Sequence, residues 1–234
     1  MSATTEEEQL DKFKSLGKKY GSSAITAVLI VLIAFFAWNY WQKNKRVDSQ
    51  NETARVQQLM DQAQAISLTD KTALTNLMRL SDEIVKKDPD SVQAIQAQLI
   101  LAKIFFDRND TTAAEKELQK AQSVKIKDEG LVALVNLHLA YAQIANKKYD
   151  DALKTLDLVK LESFKATTDE ARGDIFVYKN DTQNAKSAYE RAWSAAVARK
   201  QQPQILQIKL ESVGVLVDDP RIETPILKTQ VDES

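Results

Sequence analysis

Leu101 to Ala121, LAKIFFDRNDTTAAEKELQKA, reads as two helices joined by one tight turn. Leu101, Ala102 and Phe105 share one helical face, and Ala114, Leu118 and Ala121 share another. Between them Arg108-Asn109-Asp110-Thr111 is polar, and Asp110 or Thr111 suits the cap of the second helix. Small residues at 102, 114 and 121 let the two helices approach closely, while Phe105 and Leu118 fill the space between them.

The same arrangement returns twice downstream. Leu139-Ala140, Tyr149, Ala152, Leu156 and Val159 surround the polar turn Asn146-Lys147-Lys148, and Gly173, Phe176, Ala185, Tyr189 and Ala192 surround Lys179-Asn180-Asp181-Thr182. The key alanines at 114, 152 and 185 recur at steps of 38 and 33, which bracket the 34-residue tetratricopeptide period. Generic amphipathic helices would supply Leu and Ala at helical spacing, but not three polar turns in register.

Upstream, Val56 to Ile66 and Lys71 to Lys87 form a further helical pair that stops at Lys87-Asp88-Pro89-Asp90. Downstream, Pro203 opens an amphipathic segment with Ile205, Leu206, Ile208, Leu210 and Val213, suited to covering the apolar edge of the last hairpin. From Asp218 the chain carries Pro220 and Pro225 and no helical period, which predicts a flexible tail.

Toward the N-terminus, Ser22 to Trp38 (SSAITAVLIVLIAFFAW) is uncharged and apolar, long enough as a helix to cross a bilayer core of about 30 Å. Its Leu, Ile, Val and Phe residues favour insertion by roughly 3–5 kcal/mol. Cleavage as a signal peptide is disfavoured because the run leads into Trp38-Asn39-Tyr40-Trp41 rather than a small-x-small site. A core helix of this length would keep polar residues on one face. Lys12, Lys14, Lys18 and Lys19 before the run and Lys43, Lys45, Arg46 and Arg55 after it leave the orientation open by charge alone.

The expected fold class is therefore all-α: one N-terminal transmembrane helix, then a tetratricopeptide-like α-solenoid with a C-terminal capping helix. The expected divisions are a short segment 1–20, an anchor 21–42, a repeat domain 43–217 and a tail 218–234. Few glycines and prolines, five and four, argue against a turn-rich β architecture.

Charge and composition narrow the function. The first 42 residues hold four of each sign, leaving 28 basic and 29 acidic residues in the large segment, so nucleic acid is not an expected partner. The absence of Cys removes disulfides, thiol nucleophiles and thiolate metal sites. The single His138 has no second His or Cys with which to share a metal, and the five glycines never cluster into a phosphate loop. Asp150-Asp151 and Asp169-Glu170 are neighbours that do not face each other, and capping of helix starts accounts for both pairs. No catalytic residues, metal or cofactor are expected; the alternative is an enzyme or regulator using the repeats as a scaffold.

The chain resembles the YfgM-type ancillary subunits of the bacterial SecYEG translocon. The likeness runs through Glu8 to Lys14, the anchor ending in Trp38-Asn39-Tyr40-Trp41, the stretch Ala152 to Asp157, Arg172-Gly173-Asp174 at the start of the last hairpin, and Ala185-Lys186-Ser187-Ala188. The resemblance implies a bacterial inner-membrane protein with a short cytoplasmic N-terminus and a periplasmic repeat domain. It implies as partners the SecYEG translocon, the chaperone PpiD and unfolded secretory polypeptides, handed over by binding rather than catalysis. The hydrophilic C-terminal tail is longer than that pattern. A scaffold for another envelope or division assembly would share every physical feature.

Tetratricopeptide hairpins usually bind partners along the concave face of their first helices. Register places Gln96, Leu99, Lys103 and Phe106 there, then Leu137, Tyr141 and Ile144, then Glu170, Asp174 and Val177. This is an apolar strip with a basic end and an acidic end. It either binds a partner or packs against neighbouring hairpins and the cap; exposed area decides between them.

Overall fold

The computed structural model describes residues 35, 36, 38–40, 51–67, 69–201 and 203–216. They belong to two compact units, residues 1–55 and 56–234. In the first unit, residues 35, 36, 38–40 and 51–55 are helical, with Phe35, Phe36, Trp38 and Tyr40 exposed. The expected anchor at 21–42 otherwise lies outside the described residues, as do the N-terminal segment and the tail. Among the described residues no helix is long and apolar enough to cross a membrane.

The second unit is helical throughout its regular structure. Helical residues 56–65 (α1) precede α2 (Lys71–Lys87), α3 (Val92–Asp107), α4 (Thr111–Ser123), α5 (Glu129–Ala145) and α6 (Tyr149–Leu156). A 3-10 turn at Glu162–Phe164 leads into α7 (Lys165–Tyr178), followed by α8 (Thr182–Ala198) and α9 (Gln204–Ser212). Five helices start on a side-chain cap: Asp70, Ser91, Asp110, Asp128 and Asp181 each accept a backbone N–H three residues on, at 2.9–3.1 Å. Each satisfies one of the donors that a helix N-terminus leaves orphaned.

The turns explain why the repeat keeps its register. Asn109, Lys147 and Asn180 all sit at φ 58–60°. In each turn the left-handed residue donates to the carbonyl three back, and the next residue donates to the carbonyl five back, as in Asn109 N to Phe106 O (2.9 Å) and Asp110 N to Phe105 O (2.8 Å). This Schellman pairing satisfies the last carbonyls of the first helix and reverses the chain. Because the second helix begins right after it, the buried alanines at 114, 152 and 185 each fall five residues beyond the left-handed position.

Packing follows the sequence pattern. Ala114, Ala152, Ala185 and Ala192 are completely buried where second helices pack against their neighbours. At Gly173 a Cβ would lie 2.2 Å from the Tyr189 ring, so only glycine permits this approach of α7 to α8. The Arg172-Gly173-Asp174 segment thus marks the crossing point within α7 rather than its start, which is Lys165. Asp169 likewise caps nothing. It is buried in α7 and accepts from Arg172 and Arg191 at 3.2 and 3.3 Å.

Polar contacts stitch successive hairpins at roughly repeat-length separations. Glu115 on α4, almost fully buried, receives Lys148 Nζ at 2.9 and 3.0 Å and Asn146 Nδ2 at 2.6 Å from the following turn. Asn146 also exchanges hydrogen bonds with Thr111, and Lys179 pairs with Asp150 in the next repeat. Asp150 is exposed in the first turn of α6, where its hydrogen bond and charge contact with Lys179 hold its pKa down. Each hairpin therefore touches mainly its neighbours, the construction of a solenoid.

Candidate functional site

Apart from Gln96, the strip residues occupy the same three positions of each first helix. Leu99, Leu137 and Glu170 are one set, Lys103, Tyr141 and Asp174 a second, and Phe106, Ile144 and Val177 a third, each at the steps of 38 and 33. The third-position set and the first-position set lie one turn to either side of the second, so each helix offers one stripe.

At α3 the stripe borders open space. Leu99, Ile100, Lys103 and Phe106 line a groove of about 420 Å³, with Ala102, Leu118 and His138 completing its walls. A second groove of about 480 Å³ adjoins the first along α3, where Met60, Ala63 and Ile66 face Ile100 and Ile104. The Lys103–Asp107 ion pair belongs to this second groove's wall, and Lys103 borders both. Gln96 is exposed on α3 and lines neither. His138 stands in the first groove, and burial lowers its pKa below the ordinary 6.5, favouring the neutral ring.

In the middle of the strip the residues divide. Leu137 is 6 % exposed and packs with Ala140, Ala152, Leu156 and Ile175, so it is a core residue. Ile144 also packs against that cluster, whereas Tyr141 is 37 % exposed. Burial pushes the Tyr141 pKa up to about 12, helped by the negative charges of Glu170 and Asp174 and opposed by Lys209.

The acidic end is occupied. Lys209 Nζ on α9 donates to Glu170 Oε1 at 2.7 Å and to Asp174 Oδ2 at 2.8 Å. Tyr189 O–H donates to the other oxygen, Asp174 Oδ1, at 2.7 Å. Burial raises the Tyr189 pKa, reinforced by that hydrogen bond. Burial works against the charge on Lys209, but the two carboxylates hold its pKa above the ordinary value. Val177, at 42 % exposure, is left outside this cluster.

Two groups of groove and ion-pair side chains lie outside the sequence pattern. His138 on α5 and Met60 on α1 enter the grooves of α3 from neighbouring helices, which spacing within one hairpin does not reveal, and Ile100 lies on α3 beside the strip. Lys209 is hidden because the apolar stripe dominates the pattern of α9; its position 35 residues beyond Asp174, close to one repeat, is the available signal. Among the described residues no group of three or more His, Cys, Asp or Glu is placed to hold a metal.

The family described as tetratricopeptide repeat-like domain matches residues 14–215. A protein of Escherichia coli (strain K12) named ancillary SecYEG translocon subunit is 28 % identical over 226 residues, covering 90 % of this chain and 97 % of its own length. Its namesake from Haemophilus influenzae is 29 % identical over 208 residues, covering 89 % and 97 % respectively. Among solved structures, one titled as a functional characterization of Pseudomonas aeruginosa pilF matches with a TM-score of 0.52 at 16 % identity, covering 70 % of this chain and 68 % of that one. That likeness is one of fold.

Proposed function

The chain belongs to the tetratricopeptide repeat-like domain family, and we propose that it is a non-catalytic adaptor tethered at the SecYEG translocon, receiving apolar segments of newly translocated polypeptides in the α3–α5 groove. The observation that carries this reading is the groove itself: Leu99, Ile100 and Phe106 stand around an open space of about 420 Å³ instead of closing on one another. Hydrophobic contact is non-directional, so such a surface tolerates varied sequences.

In this reading Ser22 to Trp38 crosses the inner membrane, with residues 1–20 cytoplasmic, the repeat domain 43–217 periplasmic and residues 218–234 a free tail. The names of the relatives support the translocon as partner. A PpiD-like periplasmic chaperone is the proposed recipient of the handed-over chain. The strip from Gln96 to Val177 contributes unequally: Leu99, Lys103 and Phe106 contact the client, Tyr141 borders it, and Leu137 supports from the core.

A photoreactive amino acid at Phe106, in native membranes synthesising a secretory protein, tests the reading. Adducts with translocon subunits and with the nascent chain are expected there, and far fewer with the probe at exposed Glu190 on α8. Equal labelling at the two positions, or none to either partner, would sink the proposal. A reporter fused after Ser234 that reads out as cytoplasmic would overturn the orientation.

A further inference from the structure

We propose that the last hairpin is a receptor for a lysine-bearing amphipathic helix of a partner protein, and that α9 sits in it as a built-in, displaceable occupant. The receptor has two parts. Ala185, Tyr189 and Ala192 of α8 form a buried apolar shelf on which Leu206 and Leu210 rest. Beside it, Glu170 and Asp174 stand one helical turn apart on α7 and share a single ammonium group, that of Lys209.

The acid pair is prepared for a cation before any helix arrives. Tyr189 O–H holds Asp174 Oδ1 in place, which leaves Oδ2 directed at the incoming ammonium. Without a cation, two carboxylates one turn apart repel each other. The matching ligand pattern is written in α9 as Leu206-Gln207-Ile208-Lys209-Leu210: a leucine, a lysine three residues on, and a second leucine adjoining it.

The occupant is lightly held. The helix spans nine residues and fully buries only Leu206 and Leu210, whereas α8 buries Ala185, Ala188, Tyr189, Ala192 and Ala196. Its start at Pro203 has no side-chain cap hydrogen bond. Helices shorter than about 12 residues are marginal without tertiary support, so α9 opens before its neighbours do. Its other face leaves Ile205 and Ile208 at 69 % and 66 % exposure, so release sacrifices little burial there. A partner helix with the same Leu-x-x-Lys-Leu pattern and a longer apolar stripe would compete for the shelf and the acid pair together.

This inference concerns α7–α9 and stands or falls apart from the α3–α5 groove. The test uses the full-length chain in detergent micelles and a fluorescent peptide of residues 203–216. The double variant Leu206→Ala/Leu210→Ala, whose own α9 is weakened, is expected to bind the peptide at least tenfold more tightly than the unaltered chain. A peptide carrying Lys209→Glu is expected to lose at least tenfold in affinity, and Lys116→Ala on the exposed face of α4 is expected to change nothing. Hydrogen exchange of the unaltered chain supplies the second reading: α9 amides are expected to exchange at least tenfold faster than those of Ala188 to Ala196. Failure of the double variant to bind, indifference to the Lys209→Glu change, or equal protection of α8 and α9 would each overturn the proposal.

Discussion

On α3, Leu99, Lys103 and Phe106 face an open groove, whereas on α7 the equivalent Glu170 and Asp174 lie beneath Lys209 of α9. The two ends share backbone construction down to the left-handed turn residue, Asn109 in one and Asn180 in the other. What differs is the side chains presented and what covers them. A repeat therefore fixes where a surface points but not whether it is vacant; occupancy is decided by single residues, here chiefly Lys209. Four perturbations act on this contrast.

The largest effect is expected at the small residue where the first helix crosses the second, which is Ala102 at the open end and Gly173 at the closed end. Gly173→Ala drives a Cβ to 2.2–2.9 Å from the Tyr189 ring, and Tyr189 is 2 % exposed and anchored to Asp174, so it has nowhere to retreat. The expected loss is about 1–3 kcal/mol in urea unfolding. Replacing Tyr189 by Leu in the same chain should recover part of it. Ala102→Gly, the reverse exchange at the open end, is expected to cost only about 1 kcal/mol, through helix propensity. Equal losses at the two positions would mean that the hairpins are packed alike and that the contrast is one of surface alone.

Much of this contrast is legible in the residues themselves. The alanine spacing, the polar turns and the cap at Asp110 or Asp181 follow from local rules, and α2 begins and ends at the expected Lys71 and Lys87. The roles of Leu137 and Asp169 are not legible in that way, because burial depends on the helix lying opposite rather than on their own. Asp169 looks like a cap in sequence, and only the approach of Arg172 and Arg191 makes it a buried ion-pair centre. The grooves are hidden for the same reason, being spaces between hairpins that no residue specifies by itself.

A smaller effect separates the two lysines. Lys209→Ala removes two hydrogen bonds to carboxylates at a side chain 27 % exposed, and about 1 kcal/mol of stability is expected to go with them. Lys103→Ala breaks an exposed i,i+4 pair with Asp107, both partners being largely solvated, and is expected to cost at most about 0.5 kcal/mol. If Lys103 proved the costlier loss, the closed end would not be held by its cation.

The turns provide a control in which the ends should agree. Asn109→Gly and Asn180→Gly are each expected to gain a few tenths of a kcal/mol at most, since Asn tolerates the left-handed region. Lys147, in the hairpin between them at φ 60°, lacks that tolerance, and Lys147→Gly is expected to raise stability by about 1 kcal/mol. Unequal responses of the two asparagines, read as unfolding midpoints, would place part of the contrast in the backbone.

The finest distinction is by pH, because the two ends titrate in opposite directions. At the open end burial lowers the His138 pKa below 6.5, so the fold prefers the neutral ring. Its contribution is intact above about pH 6.5 and is lost as the pH falls below that value. At the closed end Lys209 is raised above its ordinary value and Tyr141 is pushed up to about 12, so the fold prefers both protonated forms. Their contribution is intact below about pH 10 and is lost as the pH climbs beyond it. Urea midpoints followed against pH should therefore show a step between about pH 7 and pH 5 that His138→Gln removes, above the range where Asp150 and Asp181 titrate, and an alkaline limb that Lys209→Met reduces. The Trp193 environment, which packs in the cluster containing Leu206 and Leu210, should change on the alkaline limb only. A step between about pH 7 and pH 5 that survives His138→Gln would show that the groove end is not set by its histidine. An alkaline limb indifferent to Lys209 would remove the cation from its place as the residue that closes the other end.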